Sequence, residues 1–296
     1  GENTITKNQF DNVISKLKQY GYNLINNDGD YLLRINTLSR GRSGYMKQSP
    51  VRTEISELNN IQQYCKTDYF DMTNIPEHVN FIIKKSGHLG TKKVKDENNN
   101  YKEVKNYANN VDFYDSNFRA KYKVEIGVDD NDSIVQDLLR NWQNSPKIYR
   151  YLKRYRFKIP NKPYEIHCSI VKTSKQRKTK GGRSYYVEEN FIKESNVFNN
   201  PENYEIELEF NHNDLYYLCG GDENNWRNQI LSTIKSQTKL ILSAIQFTNF
   251  PIRYDEQTQV LKDYIKLSYM KKYIDTVSKG KKLLGIPLEK LLEDNN

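Results

Sequence analysis

Carboxylates recur at every second position in the segment Tyr204–Phe210, where Glu205, Glu207 and Glu209 alternate with aromatic and aliphatic residues. Side chains of a β-strand point alternately to its two faces, so the three glutamates share one face. Like charges at such positions repel each other unless cations face them. Because hard divalent cations prefer carboxylate oxygen, the spacing predicts a site for Mg²⁺ or Mn²⁺ on these glutamates.

Two further predicted strands carry cations in the same alternating pattern. Phe118–Ile126 has Arg119, Lys121 and Glu125 on its charged face, and Tyr151–Ile159 has Arg154, Arg156 and Lys158. If these strands close into a barrel with their charged faces inward, the basic side chains can hold a polyphosphate beside the metal. The alternative is an ordinary antiparallel sheet with one solvated charged face.

The overall charge also favours a polyanionic partner. The 296 residues contain 46 Lys+Arg against 37 Asp+Glu, which gives a net charge of +9. Three widely spaced cysteines make a disulfide scaffold improbable and favour a reducing compartment. No apolar run reaches the roughly 18–20 residues of a membrane span, so we expect no membrane partner and a soluble, intracellular protein.

The elements that must position these residues are helices and strands in mixed order. Apolar periodicity predicts helices at Ile5–Tyr20, after Ser56, after Asp132, after Asp222 and from about Gln257 to Ser278. Alternation predicts strands at Tyr31–Asn36, Val51–Ile55, Phe81–Lys85 and Tyr164–Val171, in addition to those above. The polar stretch Gly87–Asn110 is predicted to be an exposed excursion. The expected fold is therefore α+β: an antiparallel β-barrel with a polar interior and helices packed outside.

The glutamate strand resembles the late strand of the triphosphate tunnel metalloenzymes, which include metal-dependent RNA 5′-triphosphatases of fungi and of large DNA viruses. Other segments are similar, in the same order, to the mRNA capping enzymes of giant viruses. These are Val51–Ile55 followed by Ile61–Lys66, then Ser169–Lys172, and Glu194–Phe198 before the glutamate strand. The resemblance runs from about Ile5 to Lys290.

This resemblance implies a tunnel-shaped antiparallel barrel that removes the γ-phosphate from 5′-triphosphate RNA. It implies a divalent metal, Mg²⁺ or Mn²⁺, on Glu207 and Glu209, with Glu205 as a further candidate. Glu125 would orient the attacking water, and the phosphate clamps would be Arg119, Lys121, Arg154, Arg156 and Lys158. It also implies a cytoplasmic location, in the host cytoplasm or a viral factory, or packaging in the virion.

The same resemblance implies that residues 1–280 form the triphosphatase domain. Residues 281–296 would then be a linker toward a downstream guanylyltransferase domain in the same polypeptide. The family carries a second Glu-x-Glu pair on a strand before its first helix, whereas here Glu2 alone precedes that helix. We therefore expect either that this first strand is missing from the chain or that the site has lost half of its metal ligands.

Two other functions stay open at this point. The tunnel could act on a free nucleotide (NTP) or inorganic polyphosphate, or the chain could be a non-catalytic RNA-binding or scaffold module of a capping protein. His167 lies where relatives tend to have an acidic residue, and a hydrogen-bonding role is expected for it. The basic segment Lys172–Arg183 is either a guide for RNA phosphates or a solvated hairpin tip.

Overall fold

The computed structural model describes residues 4–40, 46–95, 101–114, 118–178, 184–211, 214 and 223–267. The chain divides into two compact units. The first comprises Gly1–Asn110 with Lys121–Phe247, and the second comprises Val111–Ala120 with Thr248–Asn296. Helices and antiparallel strands are both present, so the predicted α+β class is confirmed. The predicted domain boundary at residue 280 lies outside the described residues.

The first unit contains an eight-stranded antiparallel sheet. Its strands are β1 (Asn23–Leu24), β2 (Asp30–Arg40), β3 (Met46–Ser56), β4 (Val79–Ser86), β9 (Lys123–Val128), β10 (Lys147–Lys158), β11 (Tyr164–Thr173) and β14 (Asn203–Phe210). The order across the sheet is β14-β11-β10-β2-β3-β4-β9, and β1 pairs with β10. The sheet curls strongly into a half-barrel. In the part of the chain described, β9 and β14 do not pair, so the closure expected from the sequence is not observed.

Three two-stranded ribbons lie outside this sheet. In the first unit they are β5–β6 (His88–Lys95 and Tyr101–Tyr107) and β12–β13 (Gln176–Lys178 and Ser184–Tyr186). In the second unit β7 (Val111–Phe113) pairs with β8 (Phe118–Ala120). The predicted excursion after Gly87 thus contains a β-ribbon, whose pairing register shifts between His88 and Thr91.

Two of the described helices begin at a side chain that satisfies a backbone N–H group of the first turn. The described helices are α1 (Lys7–Gln19), α2 (Leu58–Thr67), α3 (Ser133–Arg140), α4 (Ile192–Ser195) and α5 (Glu223–Ile245) in the first unit, and α6 (Tyr254–Leu267) in the second. Thr6 accepts a hydrogen bond from the Gln9 backbone in a capping box, and Asp132 accepts one from Ile134. The predicted continuation of α6 to Ser278 lies outside the described residues. None of the helices described combines the length and apolarity of a membrane span.

Apolar side chains on one face of the sheet build two cores. Leu33, Ile35, Val51 and Ile55 pack with residues of α2, α3 and the Ile192–Val197 segment. Along β10, β11 and β14 the same face packs with α1 and α5. Trp142 is buried in the first core. The described helices of this unit pack on the apolar face of the sheet. The opposite face carries polar side chains.

The predicted strand Phe118–Ile126 is wrong as a single element. Its first part, β8, pairs with β7, whereas its last part, β9, is an edge strand of the large sheet. The break falls at Lys121 and Tyr122, where the Tyr122 carbonyl accepts a hydrogen bond from Gly87 N. Residues that the alternation places on one face therefore belong to different strands.

Candidate active site on the polar face of the sheet

Charged side chains from seven strands share the face opposite the two cores, which we call the polar face. The strand register assigns to it Asp30, Arg34, Arg52, Glu54, Lys84, Glu125, Arg150, Arg154, Arg156, Lys158, Glu165, His167, Ser169, Glu205, Glu207 and Glu209. Residues paired directly across neighbouring strands have their side chains on the same face of the sheet, and every second residue along a strand lies on that face. The polar face thus brings the predicted glutamate strand and the predicted basic strand β10 together.

The glutamates of β14 meet cations from β10 across the intervening strand β11. Arg150 forms an ion pair with Glu205, and the Arg154 guanidinium lies 4.0 Å from a Glu207 carboxylate oxygen. Strands two apart in a flat sheet are separated by roughly 9–10 Å. Long arginine side chains on the curled polar face span that separation. Among the predicted clamps in the described chain, Arg154 is therefore the one that approaches a β14 glutamate to 4.0 Å.

His167 on β11 lies between two carboxylates and is buried. Its Nε2 atom is 3.0 Å from Glu165 Oε2, and its Nδ1 atom is 3.5 Å from Glu209 Oε2. Directly opposite His167 in the register are Arg156 on β10 and Glu207 on β14. The position therefore has the hydrogen-bonding role expected from the sequence, with a carboxylate at each ring nitrogen.

Several buried polar atoms near the middle of this face lack a hydrogen-bond partner within the described ranges. They include Arg154 Nε, His167 Nδ1 and Ser169 Oγ. Arg154 is 12% exposed, and its one ion pair in the described chain is the 4.0 Å contact with Glu207. Buried polar groups are almost always hydrogen-bonded in folded proteins. An anion bound beside Arg154 and Ser169 would satisfy these donors.

A second group of charges lies on β2, β3, β4 and β9. Glu54 Oε2 is 2.6 Å from Arg34 Nε and 3.3 Å from a terminal nitrogen of Arg52. Glu125 bridges Arg52 and Lys84 at 3.4 and 3.0 Å. Burial, together with the charge of Arg34, holds the pKa of Arg52 below its ordinary value.

Glu125 is ionised at neutral pH in this arrangement. Burial alone would raise the pKa of its carboxyl. The hydrogen bond from Lys84 and the charges of Arg52, Lys84 and Arg34 outweigh that effect, so the pKa lies below its ordinary value of 4.5. Since β9 and β14 are the two edge strands of the path, Glu125 and the β14 glutamates lie on opposite edges.

An apolar row separates these two groups of charges. Leu32, Leu152 and Val171 are paired across β2, β10 and β11, on the same face as the charged side chains. Leu152 and Val171 are fully buried. The ion pair between Arg150 and Glu205 joins residues on the two sides of this row.

Two predicted phosphate clamps do not belong to strands of the large sheet. Arg119 belongs to the second unit, where it forms an ion pair with Asp112 on the neighbouring strand. Lys121 lies between β8 and β9, outside either strand. Lys158 does lie on the face, with its Nζ atom 3.6 Å from Asp214, and Arg156 pairs with Asp30 at 2.9 Å.

Arg150 and Arg34 are the site residues that the sequence interpretation missed. β10 begins at Lys147, four residues before the predicted strand Tyr151–Ile159. Arg150 lies one residue upstream of that strand, and the apolar Leu152 separates it from Arg154 on the same face, so the charged alternation does not reach it. Arg34 lies inside the predicted strand Tyr31–Asn36, and the pairing of its charge with Glu54 would have required the register of β2 and β3.

Within the described ranges, no three His, Cys, Asp or Glu side chains gather closely enough to hold a metal ion. The carboxylates of β14 nevertheless have the ligand chemistry that Mg²⁺ and Mn²⁺ prefer. The carboxylate oxygens of β14 are therefore the donors that suit a hard divalent cation, whereas the nearby imidazole of His167 is a nitrogen donor that such cations do not favour.

Comparisons with known proteins gave no match to a family model, to a curated protein or to a solved structure.

Proposed function

We propose that this chain is a metal-dependent RNA 5′-triphosphatase, which removes the γ-phosphate from 5′-triphosphate RNA as the first step of mRNA cap formation. The observation that carries the proposal is the shared polar face of β10, β11 and β14. There, carboxylates suited to a hard metal lie beside incompletely paired guanidinium groups. The resemblance of the glutamate strand to the triphosphate tunnel metalloenzymes adds to this support.

In the proposed reaction, β10 supplies the cations that bind the triphosphate. Arg154 and Arg156 neutralise its oxygens, with Lys158 beside them at the end of the strand. Because phosphoryl transfer leaves little covalent chemistry for the protein, positioning and charge neutralisation are its main contributions. Arg154 is the best candidate for direct contact, since its present partner is 4.0 Å away.

Glu207 and Glu209 are the proposed metal-holding residues, with Glu205 as the third carboxylate of the same strand face. When bound, Mg²⁺ or Mn²⁺ supplies Lewis-acid stabilisation of negative charge on the phosphate. Glu125 remains the predicted water-orienting residue, and its strand β9 is the edge opposite β14 in the sheet order. Arg119 and Lys121 remain predicted clamps, and other capping domains in the polypeptide and a cytoplasmic or virion location remain part of the proposal.

The test is release of labelled γ-phosphate from 5′-triphosphate RNA with Mg²⁺ or Mn²⁺ and with EDTA. We expect EDTA to abolish release, and Glu207→Gln and Glu209→Gln each to lower kcat by roughly 100-fold or more. Glu202→Gln is the matched control, because this exposed glutamate precedes β14 and lies off its polar face. Thermal unfolding of each variant shows whether it is folded. Wild-type release rates in both β14 variants would refute the proposal.

A second candidate is a non-catalytic RNA-binding module. It is favoured because each β14 glutamate already faces a cation or an imidazole, which can take the place of a metal ion as its partner. This candidate predicts RNA affinity without metal-dependent phosphate release. A nucleotide or polyphosphate substrate is distinguished by competition between 5′-triphosphate RNA and ATP in the same assay.

A further inference from the structure

Two basic ribbons leave the same end of the large sheet. Because neighbouring strands alternate in direction, β4 and β11 both end where β3 and β10 begin. The ribbon β5–β6 follows β4 after the single residue Gly87. The ribbon β12–β13 follows β11 after Ser174 and Lys175. Both ribbons therefore start from one end of the polar face.

The β5–β6 ribbon exposes cations and aromatic rings together. Its exposed lysines are Lys93, Lys95, Lys102 and Lys105, with Glu103 as the acidic residue among the described positions of the two strands. Tyr101 is 69% exposed, and Lys95 Nζ lies 5.6 Å from its ring centroid. Neither of the two apolar cores includes a residue of this ribbon. Core packing therefore does not explain its composition.

The β12–β13 ribbon repeats this combination. Arg177 pairs directly with Tyr185, and both side chains are exposed. Lys175, at the start of the ribbon, is exposed as well. A cation beside an exposed ring suits a single-stranded nucleic acid, because the cation binds phosphate and the ring stacks on a base.

The length of the β5–β6 ribbon suits a polymer rather than a mononucleotide. Each strand residue rises about 3.4 Å, so the eight residues of β5 extend about 27 Å. At the end of the sheet from which the ribbon emerges, Lys84 and Lys123 continue the basic surface along β4 and β9. A polyanion whose terminus lies at Arg154 would cross the apolar row of Leu32, Leu152 and Val171. Beyond the row it would meet the charged side chains of β3 and β4 and then the lysines of the ribbon.

We propose that the two ribbons bind the single-stranded body of an RNA whose 5′ end lies on the polar face. The RNA then leaves the sheet at the end shared by β4 and β11. This inference rests on the proposed function for the identity of the bound 5′ end. It assigns the preference for RNA over a free nucleotide to the ribbons, and not to the residues that bind the triphosphate.

The test uses the full chain and a fluorescent single-stranded RNA of about 20 nucleotides, carrying either a 5′-triphosphate or a 5′-hydroxyl. Anisotropy titrations over a range of salt concentrations compare the wild type with the triple variant Lys93→Gln, Lys95→Gln, Lys105→Gln. We expect roughly tenfold weaker binding of both RNAs and a salt slope smaller by about 2, since each single-strand phosphate contact contributes about 0.7. Tyr101→Ala is expected to weaken binding at least about fivefold without changing the slope.

The matched control is Lys18→Gln, Lys66→Gln, Lys193→Gln, which removes the same charge from exposed positions on α1, α2 and α4. Equal losses in the ribbon and control variants, or no loss in the ribbon variant, would overturn the inference. Phosphate release from a triphosphorylated dinucleotide, too short to reach the ribbons, should be unchanged in the ribbon variant. If no RNA is hydrolysed at all, the proposed function fails while the binding comparison still decides the role of the ribbons.

Discussion

Replacing Glu54 by glutamine should destabilise the protein, because this carboxylate lies between two arginines on the polar face. Its Oε2 atom is 2.6 Å from Arg34 and 3.3 Å from Arg52, and all three side chains are 14–15% exposed. In the described chain Glu54 is the ion-pair partner of Arg34, whereas Arg52 also has Glu125 at 3.4 Å. Glu54→Gln keeps the shape and removes the charge.

The size of the effect follows from this partial burial. Breaking a fully buried pair costs about 3–5 kcal/mol, and an exposed pair contributes about 0–1 kcal/mol. The Glu54 group lies nearer the buried limit, but glutamine retains one acceptor for an arginine. We therefore expect a loss of about 2 kcal/mol, which lowers Tm by about 4–8 °C in a unit of this size.

Urea denaturation followed by circular dichroism measures the loss, with Asp11→Asn as the control. Asp11 pairs with Lys7 on the surface of α1, where the side chains are 52% and 67% exposed, so its replacement should change stability by less than about 0.5 kcal/mol. Inorganic triphosphate should stabilise Glu54→Gln more than the wild type, since the freed arginines gain an anion. Equal stability of Glu54→Gln and Asp11→Asn would refute the reasoning.

Other substitutions test the fold around the site. Burial lowers the pKa of Lys147 to about 8 from 10.5, so the unfolded chain binds more protons between these pH values. The unfolding free energy of the wild type relative to Lys147→Met should therefore rise with pH across that window, by about 3 kcal/mol, and a flat difference in urea titrations would contradict this. Asp132→Ala should cost about 1 kcal/mol through loss of the α3 cap, whereas Asp132→Ser should restore most of it in the same titrations. A Cβ at Gly87 would lie 2.1 Å from the Tyr122 ring, so the stability loss in Gly87→Ala should shrink by about 1 kcal/mol in a Tyr122→Ala background; additive losses would show that the ring is not the obstacle.

Alternation in the sequence predicted the central strands because each has one apolar and one charged face. In β14 the three glutamates oppose Tyr204, Ile206, Leu208 and Phe210, which pack with α1 and α5. The same signal failed in the β5–β6 ribbon, whose exposed side chains carry no such contrast. Alternation also predicted β8 and β9 as one strand. Periodicity within a segment does not show that two parts of it pair with different strands.

The site was predictable as far as residue types on single strands allow. Alternation assigned the glutamates and β10 cations to charged faces, and the structure puts those faces together. The contacts of Arg150 and His167 depend on register across three strands, which has no local signal. Closure of the barrel likewise depends on long-range pairing between edge strands.

The apolar row of Leu32, Leu152 and Val171 divides the polar face into two electrostatic compartments. The side that holds the β14 glutamates has five carboxylates against three cations, and the side that holds Arg34 has four cations against two carboxylates, so the compartments carry opposite surpluses. Apolar side chains between them exclude water, and the lower dielectric strengthens the attraction across the row. In the described chain, the ion pair between Arg150 and Glu205 is the one that crosses this partition. A substitution that removes a charge on one side therefore also changes the balance between the two sides. Arg150 is the residue through which the cationic surplus of one side meets the carboxylate surplus of the other.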